Sequence, residues 1–280
     1  MPLAMLRVAI YARPDREDAL LTAREAYRRL SELGAEPLYE ASIAGLLGGP
    51  GVDLRFTPVD AVVVIGGDGT LLRLLQLLGD RSPILHLVKV ARRGFLFEDI
   101  PPEESLRLLE RLVSGDYWVE ELSRLRVTAP GYNGSALNEA AVLALGSKVA
   151  GLRVEAGGMV LYKGLEGDGI IASTPTGSSA YNYSAGGPVL HPLLRATVLT
   201  PVNPLDRRMG SLVLPGDMEV SILVERTTRP VKLIIDGVQE RLLHRGALVK
   251  VSLTAPPARV ARYREREPRP RLPWLPGYTF

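Results

Sequence analysis

Ala61-Val62-Val63-Val64-Ile65-Gly66-Gly67-Asp68-Gly69-Thr70 runs five apolar residues into a glycine turn, and Leu71, Leu72, Leu74, Leu75 and Leu78 follow at helical spacing. The pattern predicts a buried strand, a tight turn and the start of a helix. Such a turn lets backbone N–H groups approach phosphate oxygens, and a helix N-terminus favours negative charge. Asp68 is the unexpected residue in it. A carboxylate repels phosphate unless a metal lies between them, or unless it faces a hydroxyl that must lose its proton. Both needs belong to phosphoryl transfer. The plain alternative is a Gly-Asp-Gly turn without chemistry. The stretch is not a Walker loop, because no Gly-Lys-Ser/Thr follows.

On either side of this turn, Leu6–Tyr11 and Ile84–Val90 read as strands, and Asp15–Leu33 and the segment from Pro101 to Gly115 as helices. Glu36–Arg55 is mixed, with Gly48-Gly49-Pro50-Gly51 as a loop. Strands alternating with helices imply an open, mostly parallel α/β sheet, Rossmann-like, over residues 1–116. Ligands of such sheets sit beyond the carboxyl ends of the strands, where the Asp68 turn lies. From Tyr117 short β-rich runs dominate, among them Leu122–Thr128, Ala136–Leu145, Gly169–Ser173 and Lys232–Ile235. They predict a second, β-rich domain over 117–255. Residues 256–280 read as an Arg/Pro-rich tail, packed loosely or docked on a neighbouring subunit.

A net charge of +3 gives no reason to expect nucleic acid or a membrane as partner. The absence of cysteine excludes disulfides and thiolate-ligated zinc, and 3 histidines make an all-histidine metal site a poor expectation. No apolar run reaches membrane-spanning length, and Met1–Arg7 is too short for a signal peptide, so a cytoplasmic protein is expected.

Two further stretches carry chemistry. Asp168-Gly169 precedes Ile170–Ser173, and Thr174-Pro175-Thr176-Gly177-Ser178-Ser179-Ala180-Tyr181-Asn182-Tyr183-Ser184-Ala185-Gly186-Gly187-Pro188 follows. Hydroxyls there suit ribose and amide groups, small residues admit a flat ring, and Tyr181 could stack on a base or pack in a core. Asn138-Glu139 interrupts an apolar run. A buried carboxylate is costly unless paired or hydrogen-bonded. A pair of ribose hydroxyls would satisfy it; the alternative is a solvent-facing turn or bulge.

Together Gly66–Thr70, Asn138-Glu139, Gly167–Pro188, Thr200-Pro201 and Ile235-Asp236-Gly237 resemble the NAD kinase family, in order and spacing. The resemblance implies an α/β domain and a β-rich domain with the site between them. It also implies transfer of a phosphoryl group, from ATP or polyphosphate with a divalent metal, magnesium being the expected ion, to the 2′-hydroxyl of the adenosine ribose of NAD. By resemblance Asp68 is the catalytic base, Gly69 lies on the NAD, and Arg73 contacts the nucleotide. Asn138 and Glu139 would hold the nicotinamide-side ribose, and Asp168 the nicotinamide amide or its ribose. Ser179, Ala180, Tyr181 and Ser184, with Asn182 and Tyr183 between them, would enclose the adenine end, often across a subunit boundary in a homodimer or homotetramer. Asn203 falls near a further contact, and Asp236 sits in the family's late Asp-Gly turn. No residue is expected to form a protein cage for the metal. Many members carry Gly-Ile-Asn-x-Gly after the third strand. Here His86-Leu87-Val88-Lys89-Val90-Ala91-Arg92-Arg93-Gly94-Phe95 stands instead, and Lys89, Arg92 and Arg93 are candidates for the missing positive charge. The rival readings are a lipid or sugar-phosphate kinase sharing the Asp68 turn, and a non-catalytic dinucleotide-binding sensor.

Overall fold

Uninterrupted apolar residues leave a strand no solvent-facing side, and all of Ala61–Gly66 is buried. A computed structural model of the chain describes residues 5–91, 94–146 and 149–264. Its described residues form two compact units, one up to Glu121 together with Ala258–Arg264, the other Leu122–Pro257.

In the first unit Ala61–Gly66 pairs in parallel with Arg7–Ala12 on one side and Ile84–Lys89 on the other. Arg7–Ala12 pairs in turn with Glu36–Glu40, and that strand with Gly51–Val52. The chain thus moves outward from Arg7–Ala12 in one direction and then restarts on its other side. That reversal is a topological switch point, and it lies between Arg7–Ala12 and Ala61–Gly66. Helix Glu17–Glu32 buries Ala19, Ala23, Ala26 and Leu30, a stripe at three- and four-residue intervals. The core of the unit gathers these with Val8, Ile10, Val63, Ile65 and Val88.

The second unit contains a six-stranded antiparallel sheet. Its order is Leu212–Pro215, Ala196–Val202, Gly169–Ser173, Glu139–Ala144, Val231–Ile235 and Gln239–Leu243. Ala150–Ala156 pairs with Met159–Gly167 and with Val220–Arg226, and Leu125–Ala129 forms a hairpin with Tyr132–Ala136. One core holds Leu125, Val142, Leu152, Ile170, Val220 and Leu233.

The α/β and β-rich classes expected from sequence are both present, with local differences. Glu36–Arg55, left mixed, holds a strand, the helix Ala41–Leu47 and a two-residue strand. The helix expected from Pro101 to Gly115 is two short ones, Pro102–Arg107 and Leu109–Ser114, broken at Leu108. Leu248–Arg262 is one long strand, and its Arg259 and Val260 pair with Ile84 and Leu85. The start of the supposed tail is therefore part of the parallel sheet. Val260, Ala261 and Arg262 are buried there, and Arg262 donates to Glu120 Oε2 and to the Leu96 carbonyl. A few buried residues beside a run of Arg and Pro are too few to show periodicity. Residues 265–280 of the tail lie outside the described residues.

Candidate active site

The glycines of the Asp68 turn have separate reasons. A Cβ on Gly66 would lie 2.2 Å from Thr70 Oγ1. Only glycine lets the helix leave the strand this tightly. The Gly67 carbonyl accepts from the N–H groups of Thr70 and Leu71 and so starts helix Asp68–Leu78. Nothing stands within 4 Å of a Cβ on Gly69, so that face of the turn is open. The turn lies at the carboxyl end of Ala61–Gly66, beside the switch point.

Asp68 is held by backbone rather than by side chains. Its Oδ2 accepts from Phe95 N–H at 2.8 Å and its Oδ1 from Leu96 N–H at 3.0 Å. Each carboxylate oxygen has a further lone pair, so a proton can still be accepted. The segment that departs from the family pattern thus reaches the central turn through main-chain donors. Sequence reading missed them because a backbone N–H leaves no mark on residue identity. Arg73 is exposed one turn into the helix. Burial raises the pKa of the Tyr11 hydroxyl and the Glu40 charge adds to this, while Arg73 and Arg13 oppose it. Arg73 therefore contributes positive potential at the end of strand Arg7–Ala12. Lys89 is committed to Asp99 at 2.9 Å. Arg92 and Arg93 lie outside the described residues.

In the second unit, Leu137-Asn138-Glu139 is clamped from two sides. Asp236 Oδ2 accepts from Leu137 N–H at 2.9 Å, and its Oδ1 accepts from Asn138 N–H at 2.7 Å and Glu139 N–H at 3.2 Å. Opposite, Thr174 Oγ1 donates to the Leu137 carbonyl at 2.6 Å and accepts from Gly177 N–H at 2.9 Å. Thr174 N–H and Ser173 Oγ both donate to the Asn138 carbonyl. Asp236 thus spends its carboxylate on backbone, not on an open face. The pattern Thr174-x-x-Gly177 is the sequence signal that could have found this turn, since a threonine hydroxyl commonly accepts from a backbone N–H nearby.

Glu139 is 7% exposed, and its Oε2 is buried without a hydrogen-bond partner. Burial first, then the charge of Asp236, push its pKa up to about 8. The folded state therefore binds an extra proton between the ordinary carboxylate range and about pH 8. Stability from this group falls as pH rises through that window. Glu139→Gln removes the titration. In ligand-free protein its gain over wild type should be near zero below pH 4.5, grow through the window, and level off above about 8. The plateau should be on the order of a few kcal/mol, read by denaturant unfolding across pH. A difference independent of pH would mean that Glu139 is not buried as an acid.

Asp168 is exposed, and its Oδ2 accepts from Asn203 Nδ2 at 2.7 Å, so the structure brings these two candidates together. They do not meet Glu139. Ser173 stands opposite Glu139 in the sheet, and Gly169 opposite Leu143. Asp168 is thus five residues along the strand from Ser173, about 16 Å at roughly 3.3 Å per residue. Asn182 is fully buried: its Nδ2 donates to the carbonyls of Ser178 and Pro188, and its Oδ1 accepts from Thr200 Oγ1. Its amide braces the loop and is not presented to solvent. Tyr181, Tyr183 and Ser184 are exposed around it, with Ser179 and Ala180 half-buried.

A scaffold of this kind, with a carboxylate at a switch-point turn and a buried acid on a strand clamped against a hydroxyl-rich loop, has close counterparts. The model of the ATP-NAD kinase N-terminal domain matches residues 53–117, and that of the ATP-NAD kinase C-terminal domain matches 137–263. An NAD kinase of Thermococcus gammatolerans is 35% identical over 276 residues, covering 96% of this chain and 98% of that protein. One from Aeropyrum pernix is 34% identical over 246 residues, covering 86% and 87%. Among solved structures, yeast NADH kinase complexed with NADH shares the fold with a TM-score of 0.85, at 21% identity over 95% of this chain and 85% of that one. An Archaeoglobus fulgidus NAD kinase in complex with ATP gives 0.75, at 25% identity over 94% and 95%. Identity of this extent over nearly the whole of both chains, with both halves matched in order, makes this chain an enzyme of the NAD kinase family.

Proposed function

We propose that the chain transfers a phosphoryl group to the 2′-hydroxyl of the adenosine ribose of NAD, giving NADP. The observation that carries the proposal is Asp68: a carboxylate at an open glycine turn, beside the switch point, fixed by two backbone N–H groups. A secondary hydroxyl attacks only as its proton leaves. Asp68 would take that proton while the ribose oxygen bonds to phosphorus and the donor's bridging P–O bond breaks. A positioned base typically contributes about 10²–10⁴ in rate. The rest comes from holding the reactants in line and from positive charge, to which Arg73 would contribute.

Asn138 and Glu139 would take the nicotinamide-side ribose; Ser179, Ala180, Tyr181, Tyr183 and Ser184 the adenine end, with Asn182 bracing them; and Asp168 with Asn203 a further part of the dinucleotide. The span of about 16 Å between Glu139 and Asp168 fits either an extended dinucleotide or a ligand shared in a homodimer or homotetramer. We favour a homo-oligomer. Asp236 would serve this site from behind.

ATP is the donor we favour, since the Archaeoglobus relative is an NAD kinase in complex with ATP; polyphosphate is the alternative. A divalent metal, magnesium by preference, would neutralise charge on the transferring group. Among the described residues no three acidic or histidine side chains group as a metal cage. The donor set would fit an ion held mostly by phosphates and waters, as magnesium prefers, with Asp68 a candidate carboxylate for it. No helix among the described residues is long and apolar enough to cross a membrane; the cytoplasmic location expected from sequence is part of the proposal.

The test is incubation of purified protein with NAD or NADH, magnesium, and ATP or polyphosphate in turn, reading NADP or NADPH. Metal-dependent NADP formation with ATP is expected. NAD binding without turnover on any donor would instead mark a dinucleotide sensor.

A further inference from the structure

We propose that Asp236 does not touch the dinucleotide but is the positioning residue for Asn138 and Glu139, gripping three consecutive backbone N–H groups from a left-handed turn. The inference rests on the reading of Glu139 as a ribose-binding residue, and it concerns how that residue is presented.

Four observations carry it. First, Asp236 is 5% exposed, so little of it is open to a ligand. Second, its two oxygens accept from Leu137, Asn138 and Glu139 N–H, and its own N–H donates to the Glu139 carbonyl at 3.0 Å. The clamp thus closes on the residue pair from both donor and acceptor sides. Third, Asp236 has φ 51°, and among the described residues only Asn203 shares a positive φ without being glycine. Asp tolerates that region better than most residues because its short side chain bonds locally. Here the left-handed turn aims the carboxylate back across the sheet. Fourth, the same carboxylate is the charged group that acts on buried Glu139, whose Oε2 has no partner. Asp236 in turn faces Tyr132, on which Arg241 and Arg126 also act.

Asp236 therefore fixes two properties of Glu139 at once. Its hydrogen bonds set where the side chain starts, and its charge opposes ionisation of the neighbour. Ribose hydroxyls donate best to a carboxylate, so binding should draw the proton off Glu139. The KM for NAD should then fall as pH rises through the Glu139 titration.

The variant Asp236→Asn isolates the carboxylate, because asparagine also tolerates the left-handed region. Its amide can serve at most one of the two oxygen positions and sets an NH₂ against a backbone N–H at the other. Two readouts apply. In ligand-free protein, hydrogen exchange at the amides of Leu137, Asn138 and Glu139 should accelerate about tenfold or more, with amides elsewhere in the sheet unchanged. In turnover assays KM for NAD should rise about tenfold with kcat within about twofold, and the inflection of KM against pH should move to lower pH. Glu139→Gln, with Asp236 intact, should lose the inflection. Unchanged exchange at the three amides, or a fall in kcat at constant KM, would overturn the assignment. Should Asp236→Asn not fold, exchange in the wild type still decides: amides of Leu137, Asn138 and Glu139 that exchange as fast as unprotected loop amides overturn it, whereas a flat wild-type KM from pH 6 to 9 counts only against the ribose-binding reading of Glu139. The exchange measurement needs no substrate, so it separates failure of this inference from failure of the ribose-binding reading.

Discussion

Asp68→Asn should lower turnover by about two to four orders of magnitude while leaving the fold and much of the NAD affinity in place. Asparagine matches the shape of aspartate and tolerates turn conformations, but it cannot accept the hydroxyl proton as a carboxylate does. The structure adds a second consequence. Because Oδ1 and Oδ2 both accept from backbone N–H groups, the asparagine NH₂ must face one of those donors. Either Phe95 or Leu96 then loses its acceptor, at about 1–3 kcal/mol. The variant should be slightly less stable, with the change confined to residues 94–96. Steady-state kinetics beside calorimetric NAD binding separate the two effects: the chemical role appears in kcat, the structural one in melting temperature. Wild-type turnover in folded Asp68→Asn would remove Asp68 from the chemistry and leave it as an anchor for the following loop.

Gly177→Ala should damage the second unit more than any conservative change on its surface. A Cβ there would lie 2.1 Å from the Asn138 carbonyl oxygen and 2.4 Å from its carbon. These are backbone atoms, and they cannot swing aside. Asn138 is also held by Asp236 and by Thr174, so relief requires breaking one of those bonds. Overpacking of this kind costs about 1–3 kcal/mol and occasionally more. Displacement of Asn138 and Glu139 should also weaken NAD binding by about tenfold or more. Thermal unfolding and equilibrium dialysis with NAD would check the two effects. Gly186→Ala is the matched control for space, since nothing lies within 4 Å of a Cβ there, although its φ of +84° adds backbone strain. Wild-type stability and NAD binding in Gly177→Ala would show that the loop gives way and that the approach to Asn138 does not govern it.

Local pattern carried much of the fold. Apolar continuity at Ala61–Ile65 marked the buried strand, the leucine spacing after Thr70 marked the helix, and the change of texture after Tyr117 marked the antiparallel half. Each is a property of neighbouring residues, so it can be read along the chain. The family was also legible, because its Gly66–Thr70 and Asp168–Pro188 stretches are long and locally distinctive.

What tertiary structure alone decided are relations between residues far apart in sequence. Asp236 meets Leu137–Glu139 across nearly a hundred residues, and the partners are backbone atoms that every residue possesses. Phe95 and Leu96 reach Asp68 in the same way. Strand register placed Asp168 with Asn203 and away from Glu139, which no composition of the loop could reveal. Ala258–Arg262 became a strand because Ile84 and Leu85 offered it an edge, not because its own residues demanded one. Side-chain pattern declares what a segment can bury; pairing and backbone hydrogen bonds depend on which segment arrives opposite, and that is settled only when the chain has folded.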